Sequence, residues 1–414
     1  MRLDVKQDFE YDSRQGRELD MAWNAFQSGL ILNKNYGCIE QFFEEVPIQD
    51  EYRFLKKNFH YLWSVFVLLI RILSFNDPVR EVSAFRKARN VRRIVHAKTP
   101  ILYPEYEVFS NEVLVQSPLV TVIIPTLNRY LWLTDVLNDL DSQSYKNFEV
   151  IVVDQSEPFQ NEFYSKWNLN LRVWYQEEKA LWKARNDAIR AAKGELILLY
   201  DDDSRVDSDW IFQHVKALEF FQADISSGVS ISAMGDKVPS HYSYFRWSDQ
   251  LDTGNVLIRR NVFEQIGLFD RQFEKQRMGD GEFGLRAYLS GFRNISNPRA
   301  RRIHLKAEAG GLRQMGSWDS WRPRGWFSPR PVPSVLYLMR KYYGKTSTLR
   351  SIIVNVIPST IPYRYKSNRL VLVIAPLFFL ITSPIIIYQL SLSWNQSTKM
   401  LASGAIIEHL TKSK

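Results

Sequence analysis

The stretch GELILLYDDDSRVDSDW, residues 194–210, places three consecutive aspartates at the end of an apolar run. The run, Leu196 to Leu199, has the length and composition of a buried strand. Asp201, Asp202 and Asp203 follow it directly, and three neighbouring carboxylates repel one another. The sequence therefore predicts a buried strand whose tip meets a positively charged partner.

Strand-like and helix-like segments alternate around this stretch. The strand-like segments are VTVIIP near 121–126, FEVIVVD (148–154) and LRVWYQ (171–176), and KARNDAIRAAKG (183–194) has helical spacing. This alternation predicts an α/β fold with a mostly parallel sheet flanked by helices. Ligands of such sheets bind beyond the carboxyl ends of the strands. We therefore expect one crevice to collect the polar residues at those ends, namely Thr126, Asn128, Arg129, Asp154 and the three aspartates.

A carboxylate cluster at a strand tip suits a hard divalent cation, Mg²⁺ or Mn²⁺. The structural alternative is that Asp203 or Ser204 caps a following helix. The other polar residues expected at the same crevice favour a site for a nucleotide and a cation over a cap.

The composition predicts a globular protein and limits its partners. Of 414 residues 45% are apolar and 24% are charged, and the single cysteine, Cys38, excludes an intrachain disulfide and fits a reducing compartment. The first twenty residues are polar, which predicts that they are not a secretory signal. The net charge of +9 includes 12 Lys or Arg against two acidic residues between Arg293 and Lys345. The charge is the only feature that favours nucleic-acid binding, since no motif of aromatic and basic residues accompanies it. We therefore predict no nucleic-acid partner.

Three blocks follow from the pattern: a helical N-terminal extension (1–117) of unassigned role, an α/β block (118–345) and a C-terminal apolar block (346–414). The extension contains YLWSVFVLLIRIL (61–73), which at 13 residues is short for a membrane span. This segment predicts a buried or interfacial helix, and the basic stretch after it (85–98) is interpreted as a solvated face.

The C-terminal block contains RLVLVIAPLFFLITSPIIIYQLSLSW (369–394), with no charged residue between Arg369 and Lys399. Its apolar core is long enough to span a membrane, and we predict membrane association through 369–394. Pro376 and Pro384 leave a re-entrant hairpin or a buried helical pair open. The basic residues before the segment, Arg364, Lys366 and Arg369, predict that the preceding domain lies on the cytoplasmic face of the membrane.

The ordered motifs resemble those of family-2 glycosyltransferases, which are inverting enzymes with the GT-A (Rossmann-like) fold. The resemblance runs from VTVIIPTLNRYLWLTDVLNDLDSQSYKNFEVIVVDQSEP through ARNDAIRAAKGELILLYDDDSRVDSDWI to TGNVLIRRNVFEQIGLFDRQFEKQRMGDGEFGLRAYLSGFR (253–293). It covers about residues 118–310. It implies that 118–345 is a GT-A catalytic domain that uses a nucleotide-diphosphate sugar and a divalent cation.

The resemblance also implies roles for individual residues. Asp201 and Asp203 match the two ends of the family's DxD motif, with Asp203 expected to bind the metal and Asp201 to reach the ribose or the metal. Asp154 matches the residue that hydrogen-bonds the base, although Gln155 stands where a second Asp is frequent. The other expected contacts with the nucleotide sugar are Thr126, Arg129, Arg185, Asn186, Asp202 and Asn255. His304 is expected near the metal or diphosphate, and Arg313 in a loop over the diphosphate.

An inverting transfer needs a base on the acceptor side, and the segment MGDGEFGLRAYLSG (278–291) supplies one by resemblance. Asp280 falls on the family's catalytic aspartate, while Gly279 stands where Glu is common. Glu282 is the second candidate, and the structural alternative makes Asp280 a helix cap.

The sequence therefore predicts a metal-assisted inverting glycosyltransferase of polysaccharide biosynthesis that acts on a glycan or lipid-linked acceptor. A nucleotidyltransferase is the first alternative, but PTLNRY after the first strand lacks the glycines that would cradle a triphosphate. The second alternative is an inactive scaffold with the same fold.

Overall fold

The apolar runs form strands of one mixed sheet in the computed structural model, which describes residues 8–31, 46–235, 237–248, 251–307, 320–323, 325–362, 365 and 369–410. The sheet order is β3-β2-β1-β4-β8-β6-β9-β5, and β7 pairs with β9. The strands are β1 (Val120–Thr126), β2 (Phe148–Asp154), β3 (Leu171–Tyr175), β4 (Leu196–Tyr200), β5 (Ser204–Val206), β6 (Ile225–Ser232), β7 (Arg246–Trp247), β8 (Asn255–Arg259) and β9 (Asn294–His304).

Helices surround this sheet and extend the chain on both sides. The N-terminal helices are α1 (Arg14–Ser28), α2 (Ile48–Asn58), α3 (Tyr61–Leu73), α4 (Pro78–Lys87), α5 (Glu105–Val108) and α6 (Glu112–Gln116). The helices between strands are α7 (Tyr130–Asp141), α8 (Leu181–Ala191), α9 (Trp210–Phe221), α10 (Arg260–Ile266) and α11 (Gly279–Leu289). The C-terminal helices are α12 (Pro333–Ser359) and α13 (Arg369–Ser403).

The half of the sheet that carries the aspartates is parallel. Strand β1 pairs in parallel with β2 and β4, and β2 pairs in parallel with β3. Beyond β4 the sheet is mixed, because β8 runs antiparallel to both β4 and β6 whereas β6 and β9 are parallel. The predicted α/β fold class is confirmed, and the parallel part carries the strand ends that the sequence singled out.

Alternating side chains of the central strands build a core on each face of the sheet. In β4, Leu196 and Leu198 belong to one core while Ile197 and Leu199 belong to the other. Helices α7 and α9 cover the first core, and α8, α10 and α11 cover the second. This alternation explains the continuous apolar run, since a strand covered on both faces needs apolar residues at every position.

The two terminal blocks pack on this sheet domain in different ways. Helices α2 and α4 form a small core of their own around Tyr52 and Ala84, whereas Tyr106 joins a main core beneath α9. At the other end, Tyr337 of α12 and Met400 of α13 join the second core. The predicted boundaries at 117/118 and 345/346 stay predictions.

Helix α13 is continuous, so neither Pro376 nor Pro384 ends it. Among the described residues one helical stretch is apolar and long enough to cross a membrane, Leu377–Ser403, and an 18-residue window within it has a mean hydropathy of 1.6. Its later part packs on the protein, since Gln389, Ser393, Ser397 and Met400 are buried at helical spacing. The earlier part, by contrast, exposes large apolar side chains: Ile374, Leu377, Phe378, Leu380, Ile381 and Ile387.

A buried histidine gives the fold a predicted sensitivity to acid. His214 of α9 contacts Ser226 Oγ at 3.0 Å and Asn255 Oδ1 at 3.0 Å. Burial lowers the pKa of His214 to about 4, although these hydrogen bonds oppose the shift. The histidine of the unfolded chain takes up its proton near pH ~6.5. The stability that the neutral native histidine contributes is therefore complete above about pH 6.5 and is lost as the pH falls towards 4.

We expect the free energy of unfolding of the wild type to fall by about 3 kcal/mol more than that of a His214→Gln variant over this range. Urea titrations at several pH values measure the difference. His409→Gln, at an exposed histidine, is the control and should retain the wild-type pH dependence. Equal slopes for wild type and His214→Gln would contradict the assignment.

Candidate active site

The positive partners of the three aspartates are arginines from three different elements. Arg129 directly precedes α7, Arg185 lies in α8 and Arg302 lies in β9. All three approach the tip of β4, where the aspartates begin. The chain itself thus supplies the positive charge that the sequence required at this strand end.

Asp201 is held between two buried guanidinium groups. Its Oδ1 lies 2.9 Å from Nη2 of Arg185, and its Oδ2 lies 2.9 Å from Nη1 of Arg302. Arg302 also contacts Oδ2 of Asp252 at 2.9 Å and Oγ of Ser204 at 3.0 Å. Burial acts to raise the pKa of Asp252, but Arg302 and the hydrogen bonds from Ser230 and Gly254 together hold that pKa below its usual value. These contacts fix the orientation of the Asp201 carboxylate.

Asp202 joins the tip of β4 to the loop after β1. Thr126 Oγ1 donates a hydrogen bond to Oδ2 of Asp202 at 2.7 Å. Nη1 of Arg129 lies 2.9 Å from Oδ1 of Asp202 and 3.2 Å from Oδ2 of Asp203. Burial raises the pKa of Asp202 to about 6 against the opposing effect of Arg129. The predicted convergence of the ends of β1 and β4 therefore takes the form of direct contacts.

The donor atoms of Asp201, Asp203 and His304 lie within 4.8 Å of one another. Nε2 of His304 is 3.3 Å from Oδ1 of Asp203, and antiparallel pairing of β5 with β9 sets Ser204 opposite His304. Burial acts to raise the pKa of Asp203, but His304 and Arg129 hold it below its usual value. Two carboxylates and an imidazole suit a divalent cation, so these residues fit the predicted metal site.

Asp280 lies in the first turn of α11, and the absence of a side chain at Gly279 lets this turn approach α8. A Cβ atom at Gly279 would lie 2.4 Å from Cζ2 of Trp182. Trp182 donates its indole N–H to the carbonyl of Phe273 at 3.0 Å and lies 5.3 Å from the guanidinium of Arg185. The departure from the family pattern at Gly279 thus accompanies a tryptophan that connects the start of α11 to the Arg185 helix.

Residues 121–282 match the sequence model of the family described as glycosyl transferase family 2. The chain contains a family 2 glycosyltransferase domain. The resemblance read from the motifs is confirmed over this range. The match begins in β1 and ends in α11, so it includes the three aspartates and Asp280.

Curated relatives agree with this assignment in their names. The glycosyltransferase GlyA of Streptococcus pneumoniae is 26% identical over 38% of this chain and 22% of its own length. The putative glycosyltransferase EpsH of Bacillus subtilis is 26% identical over 46% of this chain and 63% of its own length. The chain thus spans less than two thirds of either relative. A crystal structure of Staphylococcus aureus TarS 1–349 with UDP-GlcNAc has a TM-score of 0.46 and 18% identity, covering 68% of this chain and 91% of that one.

Several residues expected to contact the nucleotide are engaged inside the glycosyltransferase domain. Asp154 is fully buried, and its Oδ2 accepts hydrogen bonds from Tyr130 at 2.7 Å and Tyr164 at 2.8 Å. The side-chain amide of Asn186 donates from Nδ2 to the carbonyl of Phe269 and accepts at Oδ1 from the backbone N–H of Phe269. Their predicted nucleotide contacts stay predictions.

Asn255 lies at the centre of a buried network beneath the aspartates. Its Oδ1 accepts from the indole N–H of Trp210 at 2.8 Å, and its Nδ2 donates to the carbonyls of Val229 and Ala300. The side chain is fully buried. A contact between Asn255 and the donor sugar stays a prediction.

The two candidate bases differ in their surroundings. Glu282 is fully buried, and its carboxylate binds Arg286, Lys341 and Tyr342. Burial acts to raise the pKa of Glu282, but these partners, Arg286 first, hold it below its usual value. Asp280 is partly exposed. Arg313 falls outside the described residues, so its predicted place over the diphosphate has no structural counterpart here.

Arg302 and Asp252 are site residues that the motifs did not identify. The excess of basic residues in 293–345 indicated the region that contains Arg302 but did not identify Arg302 as a site residue. Strand periodicity contained the missing signal, because Arg302 and His304 lie two residues apart in β9 and therefore on the same face. Strand periodicity places Arg302 beside His304, but the ion pair of Arg302 with Asp201 depends on the pairing of β9 with β5 and β6.

A close approach at Gly254 gives a testable consequence. A Cβ atom there would lie 2.1 Å from Nη1 of Arg302 and 2.2 Å from Oδ2 of Asp201, so Gly254→Ala forces their ion pair apart. Since this pair orients a candidate metal ligand, we expect a roughly 10- to 100-fold loss of Mn²⁺ affinity in calorimetric titrations. Gly325→Ala, where the nearest atom is 3.4 Å away, is the matched control. Unchanged Mn²⁺ affinity in Gly254→Ala would contradict a role for the pair.

Proposed function

We propose that this chain is a metal-assisted inverting glycosyltransferase that moves a sugar from a nucleotide-diphosphate sugar to a hydroxyl of a glycan or lipid-linked acceptor. The observation that carries the proposal is the cluster of Asp201, Asp203 and His304 beside Arg129 and Arg185 at the tip of β4. The family match over 121–282 supports sugar transfer as the reaction. An inactive scaffold would not need charged groups gathered at such cost in desolvation.

Asp203 and His304, with Asp201, are the proposed ligands of the cation, which is Mn²⁺ or Mg²⁺. Their mixed oxygen and nitrogen donors favour Mn²⁺ over Mg²⁺, which prefers oxygen ligands. Asp203 is suited to ligation at neutral pH because its pKa lies below the usual value and it is therefore ionised. A bound cation supplies Lewis-acid stabilisation for the negative charge that develops on the departing diphosphate.

The arginines contribute fixed positive charge to the same task. Arg185 is fully buried, and its bonds to Asp201 and to the carbonyl of Thr253 hold the guanidinium in place. Arg129 is similarly fixed by Asp202 and Asp203. Groups already oriented in a dry site stabilise developing charge without reorganising during the reaction.

The other proposed contacts with the nucleotide sugar are made by residues at the ends of β1 and β2. Thr126 and Arg129 border the nucleotide, and Asp154 is the proposed partner of the base. Tyr130 and Tyr164 occupy Oδ2 of Asp154 and the backbone N–H of Ser156 binds Oδ1, so the remaining acceptor position for a base is on Oδ1. Arg185, Asn186, Asp202 and Asn255 line or support the pocket.

Asp280 is the proposed general base. Its carboxylate removes the proton of the acceptor hydroxyl while the oxygen forms a bond to the anomeric carbon from the face opposite the diphosphate. The bond between the anomeric carbon and the diphosphate oxygen breaks in the same displacement, which inverts the configuration. Glu282 is a weaker candidate, because three partners occupy its carboxylate and lower its pKa.

The acceptor and the location are proposed from the C-terminal helix and from relatives. Helix α13 exposes an apolar surface before residue 389, which favours a membrane contact through 369–394. The basic residues Arg364, Lys366 and Arg369 before it favour the cytoplasmic face. Two relatives are named as an O-antigen biosynthesis protein of Myxococcus xanthus and a poly(ribitol-phosphate) beta-N-acetylglucosaminyltransferase of Staphylococcus aureus. Both names support a polysaccharide or lipid-linked glycan as acceptor.

A transfer assay tests this function. The chain is incubated with Mn²⁺, radiolabelled UDP- and GDP-sugars, and either lipid-linked or soluble glycan acceptors, and the anomeric configuration of the product is determined by NMR. We expect transfer from one donor class with inversion, preferentially to a lipid-linked acceptor. Product with retained configuration would refute Asp280 as the base of a single displacement, and exclusive use of soluble acceptors would refute the membrane-linked acceptor.

A further inference from the structure

Helix α3 turns its apolar side outwards. Its inward face consists of Ser64, which is buried, Val67 and Leu68, which pack on the small N-terminal core, and Arg71, which binds Glu51. The opposite face carries a stripe at helical spacing made of Leu62, Phe66, Leu69 and Leu73. Leu69 is 54% exposed and Leu73 is 73% exposed.

This orientation is the reverse of that found in a helix of a water-soluble domain, which buries its apolar stripe and exposes its charged residues. The single charged residue of α3, Arg71, points to acidic partners of α2 and α4 instead. Beyond the helix, Phe75 is fully exposed and Val79 of α4 is 77% exposed. The apolar surface therefore continues from α3 across the turn into α4, and such a surface marks an interaction site.

Cations adjoin this apolar surface. Residues 82–104 contain no acidic residue and include six exposed cations: Arg86, Lys87, Arg89, Arg92, Arg93 and Lys98. A shallow groove on α4 is lined by Val79 and Val82 together with Arg86 and Lys87. Apolar and cationic side chains thus share one surface, which we call the α3–α4 face (residues 61–98).

We propose that the α3–α4 face docks onto an anionic lipid bilayer, as a second membrane contact independent of 369–394. At 1.5 Å per residue, 13 residues extend about 20 Å, less than the ~30 Å hydrocarbon core, so α3 lies along the surface. The apolar stripe enters the boundary between headgroups and acyl chains, where the exposed Tyr61 and Trp63 are also favoured. Arg86 and Lys87, which line the groove with Val79 and Val82, then face lipid phosphates.

Charge favours a bilayer over a second copy of the chain as the occupant. A symmetric dimer through this face would bring two sets of basic residues together, with Asp77 as the exposed acid of residues 61–98, so like charges would predominate across the interface, which is unfavourable. An anionic bilayer offers the complementary charge and the apolar phase together. A soluble helical partner with acidic flanks would also satisfy the charge, and a label at position 69 that does not respond to vesicles would favour that occupant over a bilayer.

The experiment reports on the face itself. In the full chain with Cys38→Ser, Leu69→Cys carries an environment-sensitive nitrobenzoxadiazole label. Val115→Cys, which is 78% exposed on α6, carries the same label as the control. On adding vesicles of equimolar phosphatidylcholine and phosphatidylglycerol, we expect a blue shift at position 69 and none at position 115. The shift should weaken at high salt, since screening reduces attraction to the anionic surface.

Charge variants provide a second readout. Arg86→Gln/Lys87→Gln should lower the partition coefficient to the same vesicles by roughly 10- to 30-fold, because each basic residue near an anionic surface raises partitioning by roughly three- to fivefold. Lys146→Gln/Lys193→Gln, at exposed lysines elsewhere, should leave it within about twofold. The proposal is overturned if the label at 69 does not respond to vesicles, or if it shifts without lipid as protein concentration rises, which would identify a second copy. An equal response to pure phosphatidylcholine would refute the role of the cations.

Discussion

Asp203→Asn is expected to abolish Mn²⁺-dependent binding of a nucleoside diphosphate and to slow sugar transfer by roughly 10²- to 10³-fold. The amide keeps the shape of the side chain but removes the negative charge that a cation requires. Asp203 is the member of the triad whose carboxylate faces both His304, at 3.3 Å, and Arg129, at 3.2 Å. Loss of its charge therefore removes a metal ligand and one of the two carboxylates that fix Arg129.

Calorimetric titration of UDP and GDP, with and without Mn²⁺, measures the effect on binding. Asp207→Asn is the matched control, because Asp207 lies four residues further along the same segment and is exposed. We expect the control to bind as the wild type does. If Asp203→Asn retained metal-dependent binding with wild-type affinity, the aspartates would be structural groups that pair with arginines.

Asp280→Asn is expected to lower kcat by about 10²- to 10⁴-fold and to leave donor binding unchanged. An amide accepts no proton at neutral pH, so the acceptor hydroxyl loses its base while the nucleotide site at β4 is untouched. Steady-state kinetics with donor and acceptor varied separately measure kcat and both KM values. A loss that appears entirely in the donor KM would contradict the assignment.

The Glu282→Gln variant tests whether Asp280 or Glu282 is the base, since the two carboxylates lie two residues apart. Glu282 is fully buried among Arg286, Lys341 and Tyr342, so its neutralisation leaves two cations poorly compensated. We expect this variant to lose roughly 3 kcal/mol of unfolding free energy and to retain the turnover of its folded fraction. Asp280→Asn should keep its stability and lose turnover. The reverse pattern would make Glu282 the base.

The parallel half of the sheet and the convergence of its strand ends were predictable because both follow from local patterns. The segment FEVIVVD coincides with β2, and ELILLY contains β4. Parallel strands bring their carboxyl ends to one edge, so Thr126 and Asp202 had to approach, and they meet at 2.7 Å. Long, buried strands bounded by helices leave little freedom in register.

Two aspects of the site depend on long-range pairing and could not be read locally. Arg302 reaches Asp201 because β9 pairs with both β5 and β6, and no local pattern fixes that pairing. From the sequence, Gly279 is only a departure from the family motif. Its close approach to Trp182 arises from the packing of α8 against α11. Hydrophobic periodicity identifies elements but not which distant elements meet.

The apolar helices illustrate the same limit. Pro384 suggested a break in the C-terminal segment, yet α13 continues through it. The length of α3 excluded a membrane span. Its composition, however, fits a buried helix and an interfacial helix equally well. The inward direction of Arg71, set by Glu51 and Glu81, decides between them and exposes the apolar stripe.

A crystal structure of the chain grown with Mn²⁺ and the nucleoside diphosphate selected by calorimetry, measured at the manganese absorption edge, is the most direct test of Asp203 and His304 as metal ligands. We expect an anomalous peak bonded to Asp203 and His304, with the diphosphate beside it and the sugar side of the pocket open to Asp280. A diphosphate held by arginines with no manganese at Asp203, or a manganese peak away from the tip of β4, would contradict this assignment.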